Sequence, residues 1–321
     1  MTRKAALKCM AAALFAAVVP QLQAQPYPSG PINLVIPLAA GDATDTAARA
    51  IADELARDLK VAIVPVNRPG AAGALGADLV VKAPKDGHTI LLANNASLIF
   101  RTILDPSVAT YDPFRDFTPL GLAMRSPSIL VAGAEQPFKT FKEMAAYAKS
   151  NPVRIGTAGV GSVGHFCVNT IAKLTGTELT MVPFTGATPA VTAVRGGHVE
   201  GVILALGAMT GQIRSGAVRP LVISTKSDEF PGIPTLSELG FPEPLFGVWT
   251  AFFAPAGLPA EITAVLVPAL ERAIKAPSVL ARLKPLGIVP DYAPPEKLLA
   301  EIRDEHRRVS EMAKQAGLVR P

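Results

Sequence analysis

The sequence predicts an α/β protein with two domains, each built around a mostly parallel β-sheet. Three observations lead to this prediction. Apolar runs of strand length alternate along the chain with segments whose apolar residues recur at helical spacing. Charged residues make up only 18% of the 321 residues and hydrophobic residues 49%, which indicates a well-buried core and excludes a disordered chain. The length is sufficient for two domains of ordinary size.

The first half of the chain supplies strand–loop–helix units and a crossover. Residues 32–38 (INLVIPL) form a nearly continuous apolar run, typical of a strand buried on both faces. A helix is predicted at 46–59 because apolar residues recur there on one face and charges on the other. The same criteria predict strands at 61–66 and 89–93, a helix at 73–83, a polar connection at 105–118, and apolar runs at 120–124 and 128–132 that cross between the domains.

The second half repeats the alternation of strands and helices. Strands are predicted at 153–156, 179–183, 199–206, 219–224 and 248–253. Helices are predicted at 141–150, 166–174, 189–195, 209–216, 235–239, 279–286 and 295–316. A further helix at 259–276 is expected to be interrupted near Pro268, because proline lacks the N–H that a helix interior needs.

The first 24 residues have the three parts of a secretory signal peptide. Positive residues precede an apolar run at 10–19, and Leu22-Gln23-Ala24 matches a cleavage site except that leucine replaces a small residue. The alternative is a membrane anchor, but ten apolar residues at about 1.5 Å each fall well short of a hydrocarbon core of about 30 Å. We therefore expect an exported, soluble protein that is cleaved after about Ala24.

The charge of the chain argues against nucleic-acid binding, and its cysteine content argues against an intrachain disulfide. The formal charge of the chain is +5, but the leader holds three of the positive residues, so the remainder carries only +2. The sequence has no run of Lys or Arg of the kind that binds nucleic acid, and no nucleic-acid partner is expected. Cys167 is the single cysteine after the leader, so no intrachain disulfide is expected.

A glycine-rich loop at 157–165 gives the strongest local signal for a binding site. The segment TAGVGSVGH follows a predicted strand and precedes a predicted helix, so its backbone N–H groups can bind an anion. Its glycine spacing also fits a dinucleotide fingerprint, which requires an acidic residue after the next strand. That strand ends in Pro183-Phe184-Thr185, which disfavours a dinucleotide. The anion is either a cofactor phosphate or, as we favour, a carboxylate.

Catalytic and metal sites receive little support from the sequence. A serine-hydrolase elbow reads G-x-S-x-G, whereas Val160 occupies the first glycine position here. The four histidines are far apart, so we expect no metal site. Asp42 and Asp45 are interpreted as a turn residue and a helix cap rather than an acid–base pair. A secreted α/β hydrolase that uses Ser162 and His165 is the alternative function.

Eleven segments from Tyr27 onward, covering nearly the whole chain, carry a family resemblance. They are YPSGPINLVIP at 27–37, G-x-x-T-D at 41–45, NRPGAAGALGA at 67–77, KDGHTILLA at 85–93, YDPFRDFTPL at 111–120, TAGVGSVGHF at 157–166, VPFTGATPA at 182–190, GGHVEG at 196–201, PLVIST at 220–225, PGIPTLSELGFP at 231–242 and FAPAGLP at 253–259. With these segments the chain resembles the Bug (TctC-type) receptors, the extracytoplasmic solute-binding proteins of tripartite tricarboxylate transport systems.

The resemblance implies a type II periplasmic-binding-protein fold, in which two α/β domains close on a ligand without catalysis and without a cofactor. We expect domain I at 25–124 and 226–321, and domain II at 125–225. The family's ligand loops fall on 37–45 and 157–165, so one carboxylate can bridge two helix N-termini. The residues expected to line the cleft are Ala39, Gly41, Asp42, Thr44, Asp45, Asn94, Asn95, Ser97, Thr157, Gly159, Ser162, His165, Phe184, Gly186 and Leu204.

Three of these residues depart from the family's usual pattern. Asp42 replaces a glycine of the first loop and would repel a polyanion if it faces the cleft. Leu204 replaces a polar residue and Phe184 a tyrosine, which makes the pocket more apolar. We therefore expect a mono- or aromatic carboxylate rather than a tricarboxylate such as citrate. The expected partner is a membrane permease, the alternative is an orphan or signalling receptor, and the chain is expected to be a monomer.

Overall fold

The computed structural model describes residues 27–41, 43–242, 245–315 and 317, which form two β-sheets covered by helices. The predicted signal peptide and Asp42 lie outside these residues. The strands are β1 (Ile32–Ile36), β2 (Ile63–Asn67), β3 (Thr89–Asn94), β4 (Phe117–Ser126), β5 (Ser128–Gly133), β6 (Val153–Thr157), β7 (Leu179–Pro183), β8 (Gly201–Ala205), β9 (Val218–Ile223), β10 (Val248–Pro255) and β11 (Val289–Ala293). The helices are α1 (Ala43–Leu59), α2 (Ala74–Val81), α3 (Arg101–Leu104), α4 (Phe141–Tyr147), α5 (Val163–Thr175), α6 (Ala187–Arg195), α7 (Leu206–Arg214), α8 (Ala260–Ile274), α9 (Pro277–Leu283) and α10 (Pro295–Gln315).

The first lobe is the six-stranded sheet with its helices, and its strand order is β11-β4-β10-β3-β1-β2. β1 pairs in parallel with β2 and β3, whereas β10 runs antiparallel to both β3 and β4, and β11 runs antiparallel to β4. The second lobe is the five-stranded sheet with its helices, in the order β7-β6-β8-β5-β9. Here β6 pairs in parallel with β7 and β8, and β5 runs antiparallel to β8 and β9.

The α/β class is confirmed, but the expectation of mostly parallel sheets is wrong because antiparallel pairings are at least as many in each sheet. The cause is the path of the chain between the lobes. β5 follows β4 directly through Pro127, and β10 follows a return segment at 224–247. A strand that arrives from the other lobe begins on the side of its sheet where the parallel strands have their carboxyl ends. It must therefore run opposite to those strands. The domain boundaries given above stay a prediction.

The hydrophobic cores show how the sheets are covered. One face of the first sheet packs against α1, α8 and α9, with Leu34, Ile51 and Leu270 fully buried. The opposite face belongs to a larger core that continues into the second lobe and includes residues of α5 and α10. α6 and α7 cover the other face of the second sheet. Each sheet is therefore buried on both faces, as the apolar strand sequences predict.

An aromatic cluster joins the lobes beside the glycine-rich loop. Phe100, in the helical segment after β3, stacks on Phe166 of α5 with ring centroids 4.7 Å apart. Phe246, on the return segment, meets both rings edge-on at 5.9 and 6.4 Å. On α10, Met312 approaches the hydroxyl of Thr170 on α5, with 3.8 Å between Sδ and Oγ1. These contacts hold the first turn of α5 against the first lobe.

Several local predictions need correction. α8 continues through Pro268, because the carbonyl that loses its partner there belongs to Ala264, and both residues are exposed to water. The predicted helix at 235–239 is a single turn that ends at Gly240, with Thr235 and Glu238 bonded to each other's backbone N–H groups. β11 and the helical segment 96–104 are absent from the sequence-based prediction.

Candidate functional site

The glycine-rich loop connects β6 to α5, and Ser162 is the N-cap of that helix. Its hydroxyl donates to the carbonyl of Gly159 at 2.8 Å and accepts from the backbone N–H of His165 at 3.3 Å. Gly159 and Gly161 adopt φ values of 133° and 79°, which side chains rarely tolerate. Ser162 therefore stabilises the loop, and it does not face the imidazole of His165 as a hydrolase nucleophile would.

His165 presents one hydrogen-bond donor from this loop. Its Nδ1 accepts from the backbone N–H of Gly161 at 3.1 Å, so the neutral ring carries its proton on Nε2. Burial lowers the pKa of the imidazole below its ordinary value, which keeps the ring neutral at pH 7. Nε2 has no hydrogen-bond partner among the described residues. His165 thus carries an uncharged N–H donor, and its role in ligand binding stays a prediction.

The loop lies at the boundary between the lobes. A Cβ on Gly161 would be 3.1 Å from Cδ1 of Leu104, which is in α3 of the first lobe. A Cβ on Gly164 would be 2.6 Å from the carbonyl oxygen of Ile203 in β8, so this glycine allows α5 to pack closely on the sheet. Of the three loop glycines, Gly164 therefore serves packing, and the other two serve backbone conformation.

In the first loop, Asp45 is the centre of a hydrogen-bond network. Its carboxylate accepts from the N–H of Gly41 at 2.9 Å, from Asn67 Nδ2 at 2.8 Å and from Arg49 Nε at 3.0 Å. Asn67 Nδ2 also donates to the carbonyl of Leu38 at 3.0 Å. Burial alone would raise the pKa of Asp45, but these hydrogen bonds together bring it below its usual range. Asp45 therefore holds the loop together from inside its own lobe.

Substitution of Asp45 tests this role. We expect Asp45→Asn to lower the free energy of unfolding at pH 7 by about 2 kcal/mol, because charge-assisted hydrogen bonds are lost. Since the pKa is lowered on folding, the wild-type advantage should be complete above about pH 4 and should disappear as the pH falls through the folded pKa. Urea denaturation at pH 7 and below pH 4 measures both effects. The control is Asp53→Asn on the exposed face of α1, where an equal loss would contradict the network.

The polar residues at the end of β3 and directly after it differ in whether their side chains are buried. Asn94 Oδ1 accepts from the N–H of Ser97 at 3.1 Å, and Ser97 Oγ donates to the carbonyl of Asn94 at 2.9 Å. Asn95 is fully buried, and its Nδ2 donates to the carbonyl of Gly247 and to Glu305 Oε1, each at 2.8 Å. The Asn95 and Ser97 side chains are thus held inside the protein, whereas Asn94 is partly exposed.

The remaining predicted residues are distributed over both loops and their surroundings. Ala39 and Gly41 are exposed, and Thr44 is partly buried. Thr157 is fully buried, and its carbonyl accepts from the N–H of Phe184 at 3.0 Å. Phe184 and Gly186 are partly buried, whereas Leu204 is buried in the core beneath α6 and α7. The prediction for Asp42 lies outside the described residues.

Two clusters of predicted residues result. In the first lobe, Pro37 and Ser97 both approach Gly73, whose Cβ would be 3.3 and 2.9 Å from their Cβ atoms. This contact places the first loop beside the segment that follows β3. In the second lobe, a Cβ on Gly159 would be 3.3 Å from the carbonyl oxygen of Phe184. Each lobe thus brings predicted residues together from two strand ends, which is where open α/β sheets bind ligands.

Comparison with known proteins decides the family. The model described as "Tripartite tricarboxylate transporter family receptor" matches residues 47–318. The chain belongs to this family.

The family relationship extends over about nine-tenths or more of the length of relatives and solved structures. The UPF0065 protein in the TAR-I ttuE-ttuC' intergenic region of Agrobacterium vitis is 35% identical, covering 96% of this receptor and 91% of the relative. MatC from Rhodopseudomonas palustris, solved with bound malate, is 33% identical with a TM-score of 0.75, covering 89% and 99% of the two chains. An R. palustris protein solved with adipate is 29% identical with a TM-score of 0.80, covering 91% and 99%.

The family assignment confirms the resemblance and the two-domain periplasmic-binding-protein fold. Family members are periplasmic solute-binding receptors, so this chain is a receptor and not an enzyme. None of the described helices combines the length and the apolar character needed to cross a bilayer.

Sequence reasoning missed the residues that support the site from behind. Arg49 and Asn67 hold Asp45. Glu305 accepts from Asn95 and is itself held by a hydrogen bond from Trp249. Asn67 lies in the family-like segment NRPGAAGALGA, from which no site residue was predicted. Glu305 belongs to a charged helix whose sequence gives no sign that one carboxylate is buried. Of these four residues, only Asn67 lies in a sequence motif that could have indicated its role.

Proposed function

We propose that this receptor captures a small carboxylate between the loops at 37–45 and 157–165, and that it prefers mono- or aromatic carboxylates to tricarboxylates. The observation that carries the proposal is the charge state of the second loop. Its side-chain donor is the uncharged His165, and the loop leads into the N-terminal turn of α5, which suits a single carboxylate. Relatives solved with malate and with adipate support carboxylates as the ligand class.

Electrostatics favour a ligand of low charge. A helix N-terminus is equivalent to about half a positive charge, so the first turns of α1 and α5 together offset about one negative charge. In the first loop, the negative Asp45 already faces the start of α1, although Arg49 pairs with it at 3.0 Å. Asp42 adds a further negative charge to this loop. A tricarboxylate would thus carry charge for which the described loop residues offer no cation.

The first test is selectivity. Calorimetric titration of the purified receptor with benzoate, nicotinate, adipate, malate and citrate should give the tightest binding for the singly charged or aromatic acids. Ligand binding should also raise the melting temperature, because it stabilises only the folded state. Tight citrate binding with benzoate and nicotinate silent would contradict the preference and would leave the carboxylate class intact.

The second test concerns His165. We expect His165→Ala to weaken binding of the preferred acid about 10-fold or more, because a hydrogen bond to a charged group contributes about 1.5–3 kcal/mol. The matched control is His198→Ala, since His198 is exposed in the turn after α6. Equal affinities of the two variants in the same titration would rule out His165 as a ligand donor.

We also infer that the receptor is exported with cleavage near Ala24, acts as a monomer and delivers its ligand to a membrane permease of the tripartite type. The family description supports the transport role. Mass spectrometry of the periplasmic protein tests the cleavage site, and light scattering tests the monomer. Loss of substrate uptake after deletion of the receptor would support the permease partner, whereas unchanged uptake would favour an orphan or signalling receptor.

A further inference from the structure

A second contact between the lobes is made by backbone alone. An ideal Cβ on Gly207, in the first turn of α7, would lie 2.0 Å from the carbonyl oxygen of Leu286. A Cβ on Gly287 would lie 3.0 Å from both Cα and N of Gly207. α7 belongs to the second lobe, whereas Leu286 closes the short helical turn after α9 in the first lobe. Two glycines thus bring the backbones of the two lobes into direct contact.

This contact lies beside the pivot between the lobes. The N–H of Leu206, the residue before Gly207, donates to the carbonyl of Pro127 at 2.7 Å. Pro127 is the single residue between β4 and β5, where the chain first passes from one lobe to the other. A small displacement close to a pivot produces a larger displacement at the distant edge of a lobe. The distance between the backbones of Gly207 and Leu286 therefore affects the width of the whole cleft.

A side chain at position 207 would force the backbone at this contact to shift. Carbon–oxygen contacts are ordinarily about 3.3 Å or longer, so a methyl group 2.0 Å from the Leu286 oxygen requires a separation of about 1 Å. The obstacle is a backbone carbonyl, which no rotamer change can remove. A cavity of about 290 Å³ borders the contact, and Leu206, Gly287 and Ile288 are among the residues that line it.

We propose that Gly207 and Gly287 form a backbone stop that sets the angle between the two lobes and so positions the two ligand loops. The two glycines are positioning residues, because they lie outside both ligand loops. The consequence for ligand affinity rests on the proposed function, whereas the consequence for the lobe angle does not.

The test measures the distance between the lobes directly. Fluorescent labels are placed at Lys142→Cys on α4 and Ala264→Cys on α8, both exposed. Cys167 is buried with the pKa of its thiol raised to about 12, so it does not compete for the label. Energy transfer is compared in the parent, in Gly207→Ala and Gly207→Val, and in Gly211→Ala and Gly211→Val. Gly211 lies one turn further along α7 with open space around its Cα, which makes it the matched control.

We expect the interlobe distance to change in Gly207→Ala, to change further in Gly207→Val, and to stay at the parent value in both Gly211 variants. Affinity for benzoate should fall about 10-fold in Gly207→Ala and remain unchanged in Gly211→Ala. Equal distances in Gly207→Ala and Gly211→Ala, with circular dichroism showing both folded, would overturn the proposal. If the parent does not bind benzoate, the proposed ligand preference fails, and the distance measurement still decides the role of Gly207. If Gly207→Val does not fold, the comparison of Gly207→Ala with Gly211→Ala is sufficient for the test.

Discussion

Gly164→Ala is expected to lower the free energy of unfolding by about 1–3 kcal/mol, the usual cost of overpacking a close contact. The added methyl group would lie 2.6 Å from the carbonyl oxygen of Ile203, so α5 must shift away from β8. That shift would also move the N-terminal turn of α5, and with it the donor on His165. Urea denaturation measures the stability, and titration with the preferred carboxylate measures the effect on the site.

The control for this substitution is Gly211→Ala. Gly211 is exposed within α7, and no atom lies within 4 Å of its ideal Cβ. Alanine there should raise the free energy of unfolding by about 0.5–1 kcal/mol, because it favours the helix over the unfolded chain. A gain in stability for both variants would show that α5 tolerates a side chain at 164, and Gly164 would then have no packing role.

Glu305→Ala is expected to destabilise the receptor by about 3–5 kcal/mol. Glu305 on α10 is buried, and it accepts hydrogen bonds from Trp249 Nε1 and from Asn95 Nδ2. Removal of the carboxylate leaves the Trp249 N–H and one of the two amide hydrogens of Asn95 without an acceptor, and each loss costs about 1–3 kcal/mol. Glu301→Ala, one turn earlier on α10, is the control. Its carboxylate is partly exposed and pairs with Arg125, so a loss of at most about 1 kcal/mol is expected. Similar losses for the two variants in thermal and urea unfolding would disprove the special role of Glu305.

The pH dependence of this effect has a definite sign. Burial raises the pKa of Glu305 above its usual value, although hydrogen bonds from Asn95 and Trp249 oppose the rise. A pKa raised by folding contributes stability that is fully present below the unfolded value of about 4.3 and is lost as the pH rises through the folded value. The stability difference between wild type and Glu305→Gln should therefore shift against wild type with rising pH. A shift in the opposite direction would show that the hydrogen bonds outweigh burial.

The sequence was sufficient for those parts of the fold that depend on local patterns. The apolar runs at Ile32–Ile36 and Leu179–Pro183 are strands, and the loop before α5 lies where a strand end and a helix start meet. The direction of β5 and β10 was not predictable in this way. It depends on which lobe the chain comes from, and periodicity within a strand carries no such information.

Sequence patterns also failed to predict the orientation of individual side chains in the candidate site. Asn94 and Asn95 are adjacent and chemically identical, yet only Asn95 turns inward to Glu305, which is 210 positions away in the sequence. Leu204 was expected in the cleft, but its side chain lies in the core beneath α6 and α7. In both cases the orientation of the side chain depends on packing against residues that are distant in the sequence. A family motif matched one residue at a time carries no information about that packing. The assignments of the other cleft residues stay predictions.

The stack of Phe100 on Phe166 has a consequence for efforts to change what this receptor recognises. Phe166 directly follows His165, so the stack orients the first turn of α5, which carries the imidazole, against the opposite lobe. Redesign of selectivity through the second loop alone therefore leaves half of the orienting contact untouched. Exchange of the second loop together with Phe166 also changes a contact to position 100 of the first lobe, because the two rings stack.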